Sequence, residues 1–292
     1  MTPSPAFDLQ SHSTRSDGEL APAGVVAAAA AAGVKLLALT DHDTVDGVGE
    51  ALDAGARHDV RVVSAVELSA LDGALDLHIL GYRIDHASPT LAATLTAWRA
   101  DRARRVDRMA DLLAAEGFHV DRTELDARRA SGDVAGRPHL ASAVLGQAAN
   151  ARLLAERGVA PGDIGAFFKA FLVPGAPTYV ARETPTVADA VAAIHAAGGV
   201  AVWAHPFWDV PDPAEALATL ERFAALGIDG VEAFYVEHTC AQAHLLDDRA
   251  TALGLLTTGS ADFHGPGHEL FNRFRAFDLC GREPRLGPIG DV

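Results

Sequence analysis

Along most of the chain, alanine-rich amphipathic stretches alternate with short runs of leucine and β-branched residues, and a polar residue follows nearly every run. Apolar positions at helical spacing that close on a glycine read as a helix, and a short continuous apolar run reads as a buried strand. On this basis residues 22–32 form a helix with proline in its first turn and Gly33 just past its end, and residues 36–40 form the next strand. A helix over 44–58, a strand over 60–66 and a strand over 76–82 follow. The same unit returns downstream as helix 187–197 with strand 200–204, helix 214–226 with strand 230–234, and helix 241–253 with strand 255–258. Such alternation predicts a parallel sheet flanked by helices.

The polar residues sharpen that picture. Asp41-His42-Asp43 follows the strand at 36–40, Glu67 ends the next, and His78 and Glu232 lie within strands. His205 follows 200–204, while Asp262 and His264 follow 255–258. Such residues at strand ends spread over the whole chain fit a closed β/α barrel, whose active face is the C-terminal rim; an open sheet would gather ligands at one switch point. Between residues 90 and 180 the alternation is lost. Leu91, Leu95, Trp98, Val106, Met109 and Leu113 follow helical spacing with Arg99, Arg102, Arg104, Arg105 and Arg108 between them, until Gly117 ends the helix. The expected organisation is an α/β barrel over residues 1–90 and 180–281, a helical insertion over 91–179 that leans over the barrel mouth, and an irregular tail over 282–292.

Composition then removes several function classes. The 292 residues carry 39 acidic and 24 basic side chains, a formal charge of −15, which is the wrong sign for a long nucleic-acid duplex. The apolar segment at 25–32 is stopped by Gly33 and Lys35, so neither a signal peptide nor a membrane span is expected, and the chain reads as cytoplasmic. Cys240 and Cys280, the only cysteines, are in no ligand-like spacing and allow at most one disulfide. Thirteen histidines remain as the telling count.

Their chemistry is organised around residues 8–18. There His12 and Asp17 flank a polar turn closed by Gly18, and Gln10 stands two residues before His12, on the same strand face. Taken singly, a histidine or aspartate at a strand end is usually a capping or solvated residue. As a set, His12, Asp17, His42, Glu67, His78, His205, Asp262 and His264 offer five imidazoles and three carboxylates, a mixture that suits zinc, manganese or iron better than magnesium or calcium.

Seven motifs carry a resemblance: Asp8-Leu9-Gln10-Ser11-His12-Ser13, Ser16-Asp17-Gly18, Thr40-Asp41-His42-Asp43-Thr44, Glu67-Leu68-Ser69, His78-Ile79-Leu80-Gly81-Tyr82, Ala204-His205-Pro206 and Gly259-Ser260-Ala261-Asp262-Phe263-His264-Gly265. The sequence thereby resembles the polymerase and histidinol phosphatase (PHP) family. Arg137-Pro138-His139 and the phenylalanine-rich run before Pro177 are similar to the insertion of its nucleotide phosphatases and short-RNA exonucleases. The resemblance implies a distorted, seven-stranded β/α barrel holding two to three divalent ions (manganese, iron or zinc). It assigns His12 and Asp262 to a first ion, with Gln10 where the family has histidine. Glu67, His78 and His205 fall to a second ion, Asp17, His42 and His264 to a third, with Glu67 bridging two ions. The implied activity is attack of a metal-bound hydroxide on a small phosphorylated substrate, a nucleoside monophosphate or 3',5'-bisphosphate, with Asp17, His42, Glu67 and His264 acting through the bound ions. Arg137, His139 and Lys169 are the implied phosphate contacts. Short RNA trimmed from its 5' end is the alternative substrate, and a weakened phosphate-binding or regulatory module, suggested by Gln10, is the alternative from another class.

Overall fold

The computed structural model of the chain describes residues 5–73, 75–131, 136–181 and 185–291. Two compact units emerge, Met1–Leu95 with Thr184–Val292, and Thr96–Glu183. In chain order the first unit opens with β1 (Phe7–Asp8), α1 (Pro22–Ala31), β2 (Leu36–Leu39), α2 (Val48–His58), β3 (Arg61–Asp72) and β4 (Leu75–Tyr82). Helix α3 (Pro89–Ala115) runs from the first unit into the second, which adds α4 (Thr123–Ser131), α5 (Arg137–Leu145), α6 (Ala151–Glu156) and α7 (Ile164–Phe167), the last continuing as one π-helical turn over Phe168–Leu172. The chain then completes the first unit with α8 (Val187–Ala196), β5 (Val200–Trp203), α9 (Pro206–Asp209), α10 (Pro213–Ala225), β6 (Gly230–Tyr235), α11 (Cys240–Leu253) and β7 (Leu256–Ser260).

The seven strands lie in sequence order, and the sheet curls until its edges nearly meet. Past the end of β1, the Leu9 amide donates to the Gly259 carbonyl at 3.3 Å, and the His12 amide donates to the Phe263 carbonyl at 2.8 Å. Those bonds bring β7 back beside β1. Tyr82 of β4 donates its hydroxyl to the Leu9 carbonyl across the interior, at 2.8 Å. Outside the sheet, Val25, Val26 and Ala29 of α1 and Ala51 and Ala54 of α2 share a core with Leu37, Leu39 and the stacked rings of Phe263 and Phe274.

One strand breaks the parallel pattern that the alternation predicts. β1, β2 and β3 are mutually parallel, as are β5, β6 and β7, but β4 is antiparallel to both β3 and β5. Only residues 73 and 74 separate β3 from β4, and two residues can close a hairpin but cannot carry a parallel crossover. Asp72-Gly73, with Gly73 at φ +61°, was the hairpin signal in the sequence. The hairpin also extends β3 past Glu67 to Asp72, so Glu67 sits inside a strand rather than at its end, while His78 lies within β4 as its spacing suggests. Helix α2 starts at Val48, four residues later than its spacing suggests, because Asp41 and Asp43 commit the preceding loop to side-chain hydrogen bonds.

The second unit has its own core, in which Met109 and Leu113 of α3 and Leu140 and Val144 of α5 pack with Phe118, Phe167 and Phe171. The buried Asn150 side chain pins this unit, accepting from the His119 amide and donating to the carbonyls of His119 and Val144. In the first unit, Cys240 and Cys280 form the one disulfide their number allows, closing a 40-residue separation. The residues beyond Gly281 include one short turn, Gly287–Gly290, and pack down: Ile289 is buried and Arg285 pairs with Asp247. Among the described residues, no helix is long and apolar enough to cross a membrane.

Candidate metal centre

Four loops and one hairpin deliver the site. The loop after β1 is folded onto the loop after β2 by Asp41, whose carboxylate accepts from the Ser13 amide (2.7 Å), the Ser13 hydroxyl (2.8 Å) and the Ser16 hydroxyl (2.8 Å). Gly18 lies against the His12 carbonyl so closely that a Cβ there would stand 2.2 Å from its oxygen, so only glycine closes this turn. On the other side of His42, Asp43 accepts from the Ser69 amide and hydroxyl and fixes the β2 loop to β3. Asp43, His205 and Asp262 all have positive φ, at 53°, 28° and 53°. A non-glycine residue held in that region costs free energy and persists where its surroundings over-determine it, most often at functional sites.

All eight predicted His, Asp and Glu residues converge, with Glu67 at the hub. Glu67 is fully buried, and its Oε1 lies 2.9 Å from His78 Nδ1 and 3.2 Å from His205 Nε2. Its Oε2 lies 3.0 Å from His12 Nε2 and 3.7 Å from His42 Nδ1. His12 Nε2 is also 3.1 Å from Asp262 Oδ1, and Asp17 stands 3.6 Å from each of His12, His42 and His264. The donor atoms form three overlapping groups able to hold a cation: His12, Asp17, His42 and His264; His42, Glu67 and His78; and His12, Glu67 and Asp262. Burial opposes ionisation of Glu67, but the imidazoles of His42 and His78, with those of His12 and His205 beside them, hold its carboxyl well below the usual range. Glu67 is therefore an anion at any physiological pH.

The fit to divalent ions can be tested on this geometry. His12 Nε2, His42 Nδ1, His205 Nδ1 and Asp262 Oδ1 are buried and aligned with no hydrogen-bond partner, although carboxylates or imidazoles lie close by. Buried polar atoms without partners are costly, and four in one cluster is far from the usual rate. Coordination supplies the missing partner without demanding hydrogen-bond angles, and imidazole with carboxylate is a donor set for zinc, manganese or iron. The cluster fits divalent metal binding.

Gln10, the departure from the family pattern, is fully buried beside the hub. Its Nε2 donates to Glu67 Oε2 at 2.9 Å, while its Oε1 faces the Ser260 hydroxyl at 3.4 Å. The other predicted site residues lie in the second unit. Arg137 and His139 open α5, where Arg137 donates to the Leu172 carbonyl and stands over the Phe168 ring, and the His139 ring accepts from the Gly136 amide. Lys169 is exposed. Of the arginine run, Arg105 is buried, donating to the Val180 carbonyl and packing on Tyr179.

Several supporting residues escaped the sequence reading. Glu232 is fully buried and accepts from the Ser260 hydroxyl (2.6 Å) and the His205 amide (3.0 Å); burial pushes its carboxyl up to about 7. Asp8 accepts from the amides of Ala261 and Arg275, and burial pushes it up to about 8. Tyr235 donates to Asp262 Oδ2 at 3.0 Å, leaving Oδ1 toward the cluster. A carboxylate inside an apolar strand, as at Asp8 and Glu232, was the available signal. For Asp41 the signal was only its place beside His42.

Asp41 gives a direct test of how much this framework matters. Asp41→Ala strands the Ser13 amide and two hydroxyls, and we expect a loss of about 3 kcal/mol of stability in urea denaturation, since hydrogen bonds to a charged group contribute about 1.5–3 kcal/mol each and are not additive. Metal affinity should fall by about 10–100-fold, as for other residues that orient ligands. A stability change below about 0.5 kcal/mol, the ordinary range for surface substitutions, would contradict the assignment.

Comparison with known proteins places this geometry among phosphoesterases. The chain is 36% identical over 262 residues to the 3',5'-nucleoside bisphosphate phosphatase of Chromobacterium violaceum, covering 89% of this chain and 88% of that one. It is 33% identical over 260 residues to a 5'-3' exoribonuclease of Haemophilus influenzae, covering 89% and 90%. The fold matches a crystal structure from Bifidobacterium adolescentis described as a metal-dependent phosphoesterase, with TM-score 0.71, 28% identity and coverage of 96% and 100%. No protein-family model matches the sequence.

Proposed function

The chain belongs to the PHP phosphoesterase family and is a metal-dependent hydrolase of phosphate esters, and on that premise we propose that its substrate is a nucleoside monophosphate or a nucleoside 3',5'-bisphosphate. What carries this reading is the convergence of eight His, Asp and Glu side chains, the buried Glu67 among them at the centre. The bisphosphate phosphatase among the relatives supports the substrate class.

We assign Asp17, His42 and His264 to one ion, Glu67, His78 and His205 to a second, and His12 with Asp262 to a third, Glu67 reaching between ions. Two to three ions of manganese, iron or zinc are expected. Bound there, they supply Lewis acidity toward phosphoryl oxygens and make water a stronger acid near neutral pH. The protein's part is positioning. Tyr235 holds one Asp262 oxygen so that the other faces inward. Asp209 places a carboxylate beside the His205 imidazole, its Oδ2 3.6 Å from Nδ1. Asp41 and Asp43 lock the two loops on either side of His42. Arg137, His139 and Lys169 are proposed as phosphate contacts on the strength of the resemblance, with residues 91–179 as the segment that bears on substrate choice. A cytoplasmic location is proposed as well.

A second reading, trimming of short RNA from the 5' end, is supported by the exoribonuclease relative. Salt separates the two. With manganese present, turnover of adenosine 5'-monophosphate and adenosine 3',5'-bisphosphate should change little between 50 and 200 mM salt. An oligomer held through several phosphates would weaken by orders of magnitude over the same range. Phosphate release from the mononucleotides at rates above those for 5'-phosphorylated oligomers is expected; turnover of oligomers alone would replace the first reading by the second.

A further inference from the structure

An aromatic path leads out of the histidine cluster and ends on an exposed tryptophan. Helix α9 begins directly after His205, and the Trp208 amide donates to the His205 carbonyl at 2.9 Å, so the position of Trp208 is tied to a residue at the hub. The His264 amide donates to the Phe271 carbonyl at 2.9 Å. The His264 and Phe271 rings are 5.4 Å apart, and the Phe271 and Trp208 rings are 5.9 Å apart. His268 stacks on Phe271 at 5.0 Å with an interplanar angle of 21°. Phe271 is only 8% exposed, whereas Trp208 is 54% exposed.

This arrangement wastes apolar surface unless something covers it. Burying a tryptophan is favourable, and a chain with a formal charge of −15 has polar residues to spare for a solvent position. Trp208 is also held firmly, since it sits in a helical turn anchored at Pro206 and against a ring that is itself buried. A rigid, half-exposed indole two ring contacts from His264 suits a flat π-face carried by a molecule whose phosphate lies at the cluster. Every nucleobase has such a face, and stacking on an aromatic side chain tolerates any base.

We infer that Trp208, backed by Phe271, is the stacking platform for the nucleobase of the substrate. The inference rests on the nucleotide reading above and adds the residue that distinguishes a nucleotide from a base-free sugar phosphate. It places no demand on Arg137 or on the second unit, because both rings belong to the first. Trp208 acts on binding rather than on the chemical step, so its loss raises KM and leaves kcat near its starting value.

The test uses the full-length, manganese-loaded protein with adenosine 5'-monophosphate and ribose 5-phosphate as probes. Trp208→Ala should raise KM for the nucleotide by roughly five- to a hundred-fold, the range that base stacking spans, and change KM for ribose 5-phosphate less than two-fold. Trp208→Phe should restore most of the nucleotide KM. Independently of turnover and with Trp98, the third tryptophan, replaced by phenylalanine throughout, the nucleotide should quench tryptophan fluorescence, ribose 5-phosphate should not, and the quench should vanish when Trp208→Phe is added, since Trp203 is fully buried. Equal KM changes for both probes, or a nucleotide quench that survives in Trp208→Phe, overturns the inference. If the protein hydrolyses neither probe, the proposed substrate class fails; a Trp208-dependent quench would then still support the base site, and its absence would overturn that too.

Discussion

Glu67→Gln is expected to lower phosphate release by roughly 10³-fold, because the positive charge that metal ions bring to a phosphoryl group contributes several kcal/mol at about 1.4 kcal/mol per factor of ten. The substitution keeps the shape of the side chain and removes only its charge. Among the described residues, Glu67 is the one carboxylate within 3.7 Å of four imidazoles, those of His12, His42, His78 and His205. Without its charge, ions in the neighbouring positions lose a shared counter-ion, so metal content measured by elemental analysis should fall together with activity. Because Glu67 is fully buried, circular dichroism must accompany the assay. His42→Ala and His264→Ala supply the control, since both side chains, at 19% and 11%, are more exposed than Glu67 and their loss should collapse activity while leaving the fold intact. Activity within ten-fold of wild type in all three variants would exclude this cluster as the catalytic centre.

Gln10→His is expected to act in the opposite direction and to add close to one ion per chain. An imidazole at this position would sit on the same strand face as His12 and could ligate. The glutamine instead points its amide nitrogen at Glu67 Oε2 and its oxygen at Ser260. A donor cannot coordinate, and the bond it makes occupies an oxygen that an ion at His12 and Asp262 would share. The wild-type protein should therefore hold two ions well and the third weakly or only with substrate. On a simple count of ligand charges the centre then carries about +1 rather than about +3 with neutral histidines, so phosphate is still attracted but less strongly. Equal metal stoichiometry in the wild type and in Gln10→His would contradict this account. The same pair of proteins addresses the regulatory alternative: tight phosphate binding without turnover in the wild type, with turnover gained in the variant, would make Gln10 the cause of a weakened enzyme.

The sequence by itself determined the alternation of helix and strand, because apolar periodicity records which face of each element meets the core. It also picked out the candidate residues that the structure brings together. His12, Asp17, His42, Glu67, His78, His205, Asp262 and His264 stand where short apolar runs deliver them, and the motif spacings carry the resemblance that united them. Partnership, by contrast, was decided only by the tertiary structure. Asp41 and Ser13 are 28 residues apart, His205 and Glu232 27, and Gln10 and Ser260 250, and no local pattern records contacts of that range. The reversal of β4 lay between the two cases: Asp72-Gly73 announced a turn, yet only the closed sheet made β4 antiparallel to both of its neighbours. Gln10 shows the difference most sharply. The sequence marked it as a missing ligand, whereas the fold made it a hydrogen-bond donor to Glu67, because which end of an amide faces a carboxylate depends on what lies behind it, and here that is Ser260 from the far end of the chain.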